Sequence, residues 1–209
     1  CIDSAVKGRM LNNGQSCIAA KRFIVHKDVY DEFLEGLKTS VQQLIIGNPM
    51  LDETVVGPLA REDILDKIKS QVDKSVELGA DLLCGGHRID RVGYYYAPTI
   101  LTNITEDMPV YSEETFGPVF SVFKCSSIDE MVVLANDTDF GLGGSVWSED
   151  RDKALSIARR IETGAVFIND FTKSDPRLPF GGVKNSGYGR ELSELGIKEF
   201  VNVKTIAIF

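Results

Sequence analysis

A chain of 209 residues, of which 43% are hydrophobic, is long enough to bury a substantial core. Its 23 basic and 31 acidic residues give a net charge of -8, which repels polyanions, so we expect neither a nucleic-acid nor a membrane partner. The four cysteines lie far apart and are accompanied by only two histidines, which favours a reducing compartment, the cytoplasm, and predicts no metal site.

The first residues follow a helical pattern. Ile2, Val6 and Met10 recur every four residues, and no N-capping residue precedes them. Because the chain also starts at Cys1 rather than at a methionine, we expect it to be a segment of a longer protein.

Strand-like and helix-like segments alternate from Arg22 onward. Strands are predicted at residues 22–26, 82–84, 94–101, 116–123, 144–147 and 165–168. Helices are predicted at residues 29–44, 61–78 and 154–161, and a capping box of Ser127 and Glu130 predicts another. This order predicts an α/β fold with a doubly wound, mainly parallel sheet and helices on both faces.

The end of the chain has a different pattern. Residues 201–209 alternate in polarity like a strand, and no helix follows them. We therefore divide the chain into one domain at residues 1–200 and a terminal strand at residues 201–209. An exposed terminal strand is free to pair with another chain.

Cys17 is the first candidate for chemistry, because it follows an Asn-Asn-Gly turn between a helix-like and a strand-like segment. A thiol held on a short loop suits a nucleophile. Free cysteines are nevertheless among the most buried residue types, and these residues alone leave both interpretations open.

Three motifs occur in a fixed order, at Asn12–Cys17, Glu113–Pro118 and Pro179–Glu191. Together they resemble the catalytic half of the aldehyde dehydrogenase superfamily, and the resemblance covers essentially the whole chain. Within the superfamily, residues 18–23 and 174–177 followed by Phe180 are most similar to bacterial NAD(P)-dependent succinate-semialdehyde dehydrogenases.

The resemblance implies that Cys17 is the catalytic nucleophile and that NAD or NADP is the cofactor. The thiolate would add to an aldehyde, the thiohemiacetal would lose a hydride to the cofactor, and the thioester would be hydrolysed. Glu114 and Phe116 match the family residues that contact the nicotinamide ribose and ring, whereas Glu113 is expected only to be solvated.

In the family, the glutamate base and the asparagine that binds the oxyanion precede the cysteine in sequence, and neither lies in this chain. The cofactor is likewise bound mainly by a domain that precedes the catalytic one. We therefore expect residues 1–200 to be a catalytic domain that is inactive alone, and the choice between NAD and NADP stays open.

The substrate residues are assigned to the third motif and the loop before it. Phe180 corresponds to an aromatic wall of the aldehyde tunnel. Arg177 is the first candidate for pairing with a substrate carboxylate and Lys173 the second, although both could equally be exposed loop charges. Four glycines of the motif are predicted to be turn positions with positive φ rather than a phosphate-binding loop: Gly181, Gly182, Gly187 and Gly189.

The resemblance also implies a homo-oligomer, a dimer or tetramer, joined through Val201–Phe209, and a small-molecule aldehyde as the substrate. Two other functions remain open at this point. A cysteine hydrolase would need His26 or His87 as its base. A non-catalytic domain could instead associate through its terminal strand.

Overall fold

Strands and helices alternate along most of the chain in the computed structural model, which describes residues 1–209. The strands are β1 (Arg22–His26), β2 (Asp81–Cys84), β3 (Thr99–Thr102), β4 (Val119–Cys125), β5 (Phe140–Gly141), β6 (Gly143–Val146), β7 (Ala165–Ile168) and β8 (Val183–Lys184). The helices are α1 (Ile2–Met10), α2 (Lys27–Gln42), α3 (Glu62–Glu77), α4 (Pro109–Ser112), α5 (Ile128–Asn136), α6 (Arg151–Ala158) and α7 (Ser193–Lys198). None of the helices combines the length and the apolar character needed to cross a membrane.

The main sheet holds four strands in the order β1-β4-β3-β2. β1 and β3 both pair with β4 in parallel, whereas β2 pairs with β3 in antiparallel orientation. Two smaller pairs lie outside it, the parallel pair β6 and β7 and the antiparallel pair β5 and β8. The predicted α/β fold with a mainly parallel sheet is confirmed, although the strands form three sheets rather than one.

Helices cover both faces of the main sheet. One apolar cluster packs α1 and α2 against Ile100 and Phe120, and a second packs α3 and α4 against Leu101 and Val119. Successive residues of a strand point to opposite faces, so the two clusters lie on opposite sides of the sheet. This burial on both faces explains why six of the seven residues of β4 are buried.

Two strands begin later than predicted, and a proline precedes each of them. β3 starts at Thr99 after Pro98, and β4 starts at Val119 after Pro118. A proline has no N–H to donate to a sheet, so the ladder begins beyond it. The segment Glu113–Phe116 is therefore a loop that precedes β4, which leaves its side chains free of the sheet.

Local helix signals agree with the structure. The helix predicted over residues 61–78 is α3, which ends at Glu77 and is followed by Leu78 and by Gly79 with a φ of +110°. The Ser127 hydroxyl accepts a hydrogen bond from the Glu130 backbone N–H at 3.2 Å, as the capping box predicts. The Glu130 carboxylate accepts a hydrogen bond from the N–H of Ser126, whereas a capping box would use the N–H of Ser127.

The terminal strand predicted at residues 201–209 is not formed in the single chain. All nine residues are exposed, and none of them belongs to a strand. A strand needs a neighbour to accept and donate its backbone hydrogen bonds, and this chain places no neighbour beside the segment. Alternating polarity alone therefore does not produce a strand here.

Candidate active site

Cys17 lies on a surface turn that follows α1. After α1 the backbone turns through three left-handed residues, Asn12, Asn13 and Gly14, with φ values of 51°, 57° and 76°. Asparagine and glycine tolerate this conformation better than other residues do. The turn that carries Cys17 is closed by a hydrogen bond from the Ala19 N–H to the Ser16 carbonyl. The thiol is exposed, so the core interpretation of Cys17 is wrong.

The same turn is attached to the segment at residues 57–60. The Asn13 side chain accepts a hydrogen bond from the Gly57 N–H at 3.1 Å and donates one to the Pro58 carbonyl at 3.2 Å. The Gln15 side chain accepts another from the Ala60 N–H at 2.9 Å. Asn13 therefore fixes the Asn-Asn-Gly turn to this neighbouring segment.

Gly14 brings the first motif into contact with the second. A Cβ atom at Gly14 would lie 2.1 Å from the Gly117 carbonyl oxygen and 2.4 Å from a guanidinium nitrogen of Arg9. No side chain fits at that distance, so glycine is required by space as well as by its positive φ. The turn before Cys17 consequently packs directly against the Glu113–Pro118 motif.

Arg9 is a buried residue that joins these segments and that the sequence did not single out. Its guanidinium donates to the carbonyls of Gly14 at 2.5 Å, Ala20 at 2.9 Å and Thr115 at 3.3 Å. Burial lowers the pKa of Arg9 to about 9, against a smaller opposing effect of the Glu114 charge. The side chain stays protonated at neutral pH and keeps all of its donors. Its four-residue spacing from Ala5 on α1 is only a weak sequence signal.

Lys21 brings the predicted catalytic and cofactor residues together. Its ammonium donates to the backbone carbonyls of Cys17 and Ala19, both at 3.2 Å, and pairs with the Glu114 carboxylate at 3.1 Å. It also lies 5.9 Å from the centre of the Phe116 ring. Burial lowers the pKa of Lys21, and the bond to Glu114 opposes that shift. No feature of the sequence predicted this contact.

Gln71 of α3 fixes the loop that carries the two glutamates. Its side-chain amide donates to the Glu113 carboxylate at 2.8 Å and to the Glu114 backbone carbonyl at 3.2 Å. The prediction that Glu113 is only solvated is therefore wrong, because its exposed carboxylate has a protein donor.

Phe180 borders a separate cavity of about 410 Å³. Its walls are the four residues of β7 together with Lys173, Asp175, Leu178, Pro179 and Phe180. The Phe180 backbone is held by two hydrogen bonds with Glu191, at 2.8 and 2.7 Å. Cys17 is not among the residues that line this cavity, and no hydrogen bond or ion pair joins Cys17 to them.

The two cations proposed for a substrate carboxylate already have partners. Arg177 binds Asp175 through two nitrogens, at 2.9 and 2.6 Å, and its side chain is 84% exposed. This pairing holds the pKa of the Asp175 carboxyl well below its usual range. Lys173 pairs with Asp170 and also borders the cavity beside Phe180. An incoming carboxylate would have to share each cation with its aspartate or displace that aspartate.

The glycines of the third motif serve two different purposes. Gly187 and Gly189 have φ values of 109° and 78°, as predicted for turn positions. The prediction is wrong for Gly181 and Gly182, neither of which has a positive φ. A Cβ atom there would lie 2.5 Å from the Gly189 carbonyl oxygen and 2.4 Å from the Ser186 Cβ atom, respectively, so close packing requires these two glycines.

Neither histidine contacts Cys17. His26 ends β1, and its ring accepts a hydrogen bond from the Asp28 N–H at 3.4 Å, which caps α2. The His87 ring lies 2.9 Å from the Gly85 carbonyl oxygen. Both imidazoles are thus occupied locally, and the arrangement does not favour a cysteine hydrolase.

The model of the aldehyde dehydrogenase family matches residues 1–206. The chain belongs to the aldehyde dehydrogenase family. This confirms the resemblance of the three motifs, and membership in an oxidoreductase family disfavours both the hydrolase and the non-catalytic domain. In this aldehyde dehydrogenase chain, Arg9 and Lys21 join the motif at Asn12–Cys17 to the motif at Glu113–Pro118.

Relatives of this aldehyde dehydrogenase chain carry a more specific name. It is 51% identical over 207 residues to succinate-semialdehyde dehydrogenase (NADP(+)) 1 of Mycobacterium tuberculosis (strain ATCC 25618 / H37Rv), covering 99% of this chain and 45% of the relative. It is 52% identical over 204 residues to a probable succinate-semialdehyde dehydrogenase (NADP(+)) of Synechocystis sp. (strain ATCC 27184 / PCC 6803 / Kazusa), covering 98% and 45%.

A solved structure is similar throughout. Succinic semialdehyde dehydrogenase from Streptococcus pyogenes, crystallised in complex with NADP+, matches with a TM-score of 0.96 and 42% identity. The match covers 99% of this chain and 46% of that one. The chain therefore spans a little under half the length of these relatives.

Proposed function

We propose that this chain supplies the catalytic cysteine of an enzyme that oxidises an aldehyde, with succinate semialdehyde as the substrate, to the carboxylic acid. The observation that carries the proposal is an exposed Cys17 whose turn is linked through Lys21 to Glu114 and Phe116. The choice of substrate is supported by relatives named succinate-semialdehyde dehydrogenases, about half identical to this chain.

The chemistry begins with the Cys17 sulfur. The thiolate adds to the aldehyde carbon, and the carbonyl electron pair moves to the oxygen, where the Cys17 backbone N–H can donate a hydrogen bond. The bound cofactor supplies the acceptor for the hydride that leaves the same carbon. The thioester that remains on Cys17 is hydrolysed by water, which releases the acid and restores the thiol.

Glu114 and Phe116 suit the nicotinamide end of NAD or NADP. The Glu114 side chain is 36% exposed and its carboxylate pairs with Lys21 alone, so it keeps acceptor capacity for ribose hydroxyls. Phe116 is half-buried in the loop before β4 and can present a ring edge beside the same space. The glutamate base, the oxyanion asparagine and most of the cofactor site are assigned to sequence outside this chain.

This assignment determines which part of the enzyme the chain supplies. Residues 1–200 are proposed to be the catalytic domain of a longer enzyme. This proposal is supported by a relative that the chain matches over 45% of its length. Without the base that hydrolyses the thioester, the 209 residues alone are proposed to lack aldehyde oxidation. Ester cleavage by Cys17, which needs no cofactor, can survive weakly.

Arg177 is proposed to pair with the substrate carboxylate beside the cavity that Phe180 borders, because its partner Asp175 lines that cavity. In the full-length enzyme, Arg177→Ala is expected to raise KM for succinate semialdehyde about tenfold and to leave KM for propanal within about twofold. The reason is that propanal has no carboxylate to lose a partner. Initial rates of cofactor reduction with both aldehydes measure the effect, and the wild-type rates test the proposed reaction itself.

Lys173→Ala is the matched comparison, because Lys173, like Arg177, pairs with an aspartate, and Lys173 itself lines the cavity. A selective effect of Lys173→Ala without one of Arg177→Ala would move the role to Lys173. Equal changes for the two aldehydes in both variants would remove both residues from substrate recognition.

A homo-oligomer is proposed to form through residues 201–209. The segment is fully exposed and alternates in polarity, and β7 is hydrogen-bonded on one side only, to β6. The open edge of β7 can therefore accept a strand from a second copy.

Deleting residues 203–209 from the full-length enzyme is expected to lower its mass in solution to that of a smaller assembly or a monomer. Light scattering after size exclusion provides the measurement. The control is Val92→Ser, which removes a fully exposed apolar side chain outside the segment and should leave the mass unchanged. An unchanged mass after the deletion contradicts this interface.

A further inference from the structure

Lys21 has all three of its ammonium hydrogens engaged. Two are donated to carbonyls of the turn that carries Cys17, and the third pairs with Glu114. Because two of the three acceptors belong to the nucleophile turn, the position of the ammonium is set by that turn. The side chain is only 21% exposed, so few alternative positions are open to it.

The Glu114 side chain is held differently from its backbone. The backbone of the loop is fixed from inside the protein, since Gln71 binds the Glu114 carbonyl and Arg9 binds the Thr115 carbonyl. The carboxylate has a protein partner only in Lys21. The direction in which the carboxylate points therefore depends on Lys21, whereas the course of the loop does not.

Removal of Lys21 would act on the Glu114 side chain and not on the course of its loop. The carboxylate would lose its charge-assisted hydrogen bond, and with it a fixed rotamer.

We propose that Lys21 is a positioning residue that orients Glu114 relative to Cys17, so that tight binding of the nicotinamide ribose depends on Lys21. The inference rests on the proposed function, in which Glu114 receives the ribose hydroxyls. Lys21, which follows the turn that carries Cys17, would thus affect cofactor binding rather than the thiol.

The test compares Lys21→Met, Glu114→Gln and the double variant in the full-length enzyme. Lys21→Met is expected to raise KM for the dinucleotide about tenfold, the size expected for loss of a charge-assisted hydrogen bond. KM for the aldehyde and the rate of p-nitrophenyl acetate cleavage should stay within about twofold, because Asn13, Gln15 and Arg9 still hold the turn.

The double variant tests whether Lys21 acts through Glu114. It should bind the dinucleotide no more weakly than Glu114→Gln alone, since both single changes remove the same interaction. Lys21→Arg, which keeps the charge and the donors, should recover most of the affinity.

Lys124→Met is the matched control. Lys124 also pairs with a carboxylate, that of Asp31, at 3.4 Å, and lies 4.7 Å from an aromatic ring, that of Tyr30. It stands opposite Val25 near the far end of β1, away from Cys17, and its removal should leave the dinucleotide KM unchanged.

Three results would overturn the inference. A normal dinucleotide KM in Lys21→Met, with a raised one in Glu114→Gln, would separate Lys21 from cofactor binding. Parallel loss of ester cleavage would assign Lys21 to the nucleophile turn alone. No effect of Glu114→Gln would locate the failure in the proposed role of Glu114, and the role of Cys17 would be judged separately by its own variant.

Discussion

Replacing Cys17 by serine in the full-length enzyme is expected to lower kcat for aldehyde oxidation at least about a thousandfold. A serine hydroxyl has nearly the same size as the thiol but is a far weaker nucleophile unless a base activates it. Both histidines of this chain are bound locally elsewhere, so neither can act as that base. Steady-state rates of cofactor reduction at saturating aldehyde provide the measurement.

Cys1→Ser is the control, because Cys1 is the other exposed cysteine and lies outside the nucleophile turn. It should retain the wild-type rate. If Cys17→Ser kept more than about a tenth of that rate, the thiol of Cys17 would not be the nucleophile.

Arg9→Met is expected to lower the free energy of unfolding by about 3 kcal/mol. Methionine can fill much of the volume, but the carbonyls of Gly14, Ala20 and Thr115 lose their donor inside the protein. Each stranded carbonyl costs about 1–3 kcal/mol. Removing a buried charge returns part of that cost, which keeps the expected total below the sum of three such losses.

Urea denaturation of the 209-residue chain measures the change. The control is Arg159→Met at the exposed end of α6, which should alter stability by less than about 0.5 kcal/mol. A loss below about 1 kcal/mol for Arg9→Met would mean that the contact between the first two motifs does not depend on this guanidinium.

The sequence predicted the longer helices and the strands of the main sheet, because their signals are local, but it missed the short helices α4 and α7 and the short strands β5 and β8. The apolar spacing of α3 and the capping residues Ser127 and Glu130 act within one or two turns of helix, and the structure has them nearly where the pattern placed them. The starts of β3 and β4 also have a local cause, since Pro98 and Pro118 lack the N–H that a sheet needs. The β-prone residues before these prolines led to strands that were predicted too long.

The failures involve partners that the local pattern does not contain. Residues 201–209 have the alternation of a strand, and no neighbour in the single chain to pair with. Gly181 and Gly182 are required by close packing rather than by backbone conformation, and only three-dimensional proximity reveals that.

The site was predicted through its motifs and not through the contacts that connect them. Arg9 binds a carbonyl 106 positions away, and backbone carbonyls leave no signature in a sequence. Lys21 reaches Glu114 across a similar separation. Both cations were therefore missed, although they are the residues that bring Cys17 and Glu114 into one place.

The most direct test of the central claim is to find which residue carries the acyl group during turnover. The full-length enzyme is mixed with excess dinucleotide and succinate semialdehyde, quenched in acid within the first turnover, digested, and analysed by mass spectrometry. We predict one succinyl group as a thioester on the peptide that contains Cys17, and none in Cys17→Ser. Cofactor reduction with the acyl group on another residue, or with none on the protein, would contradict the account.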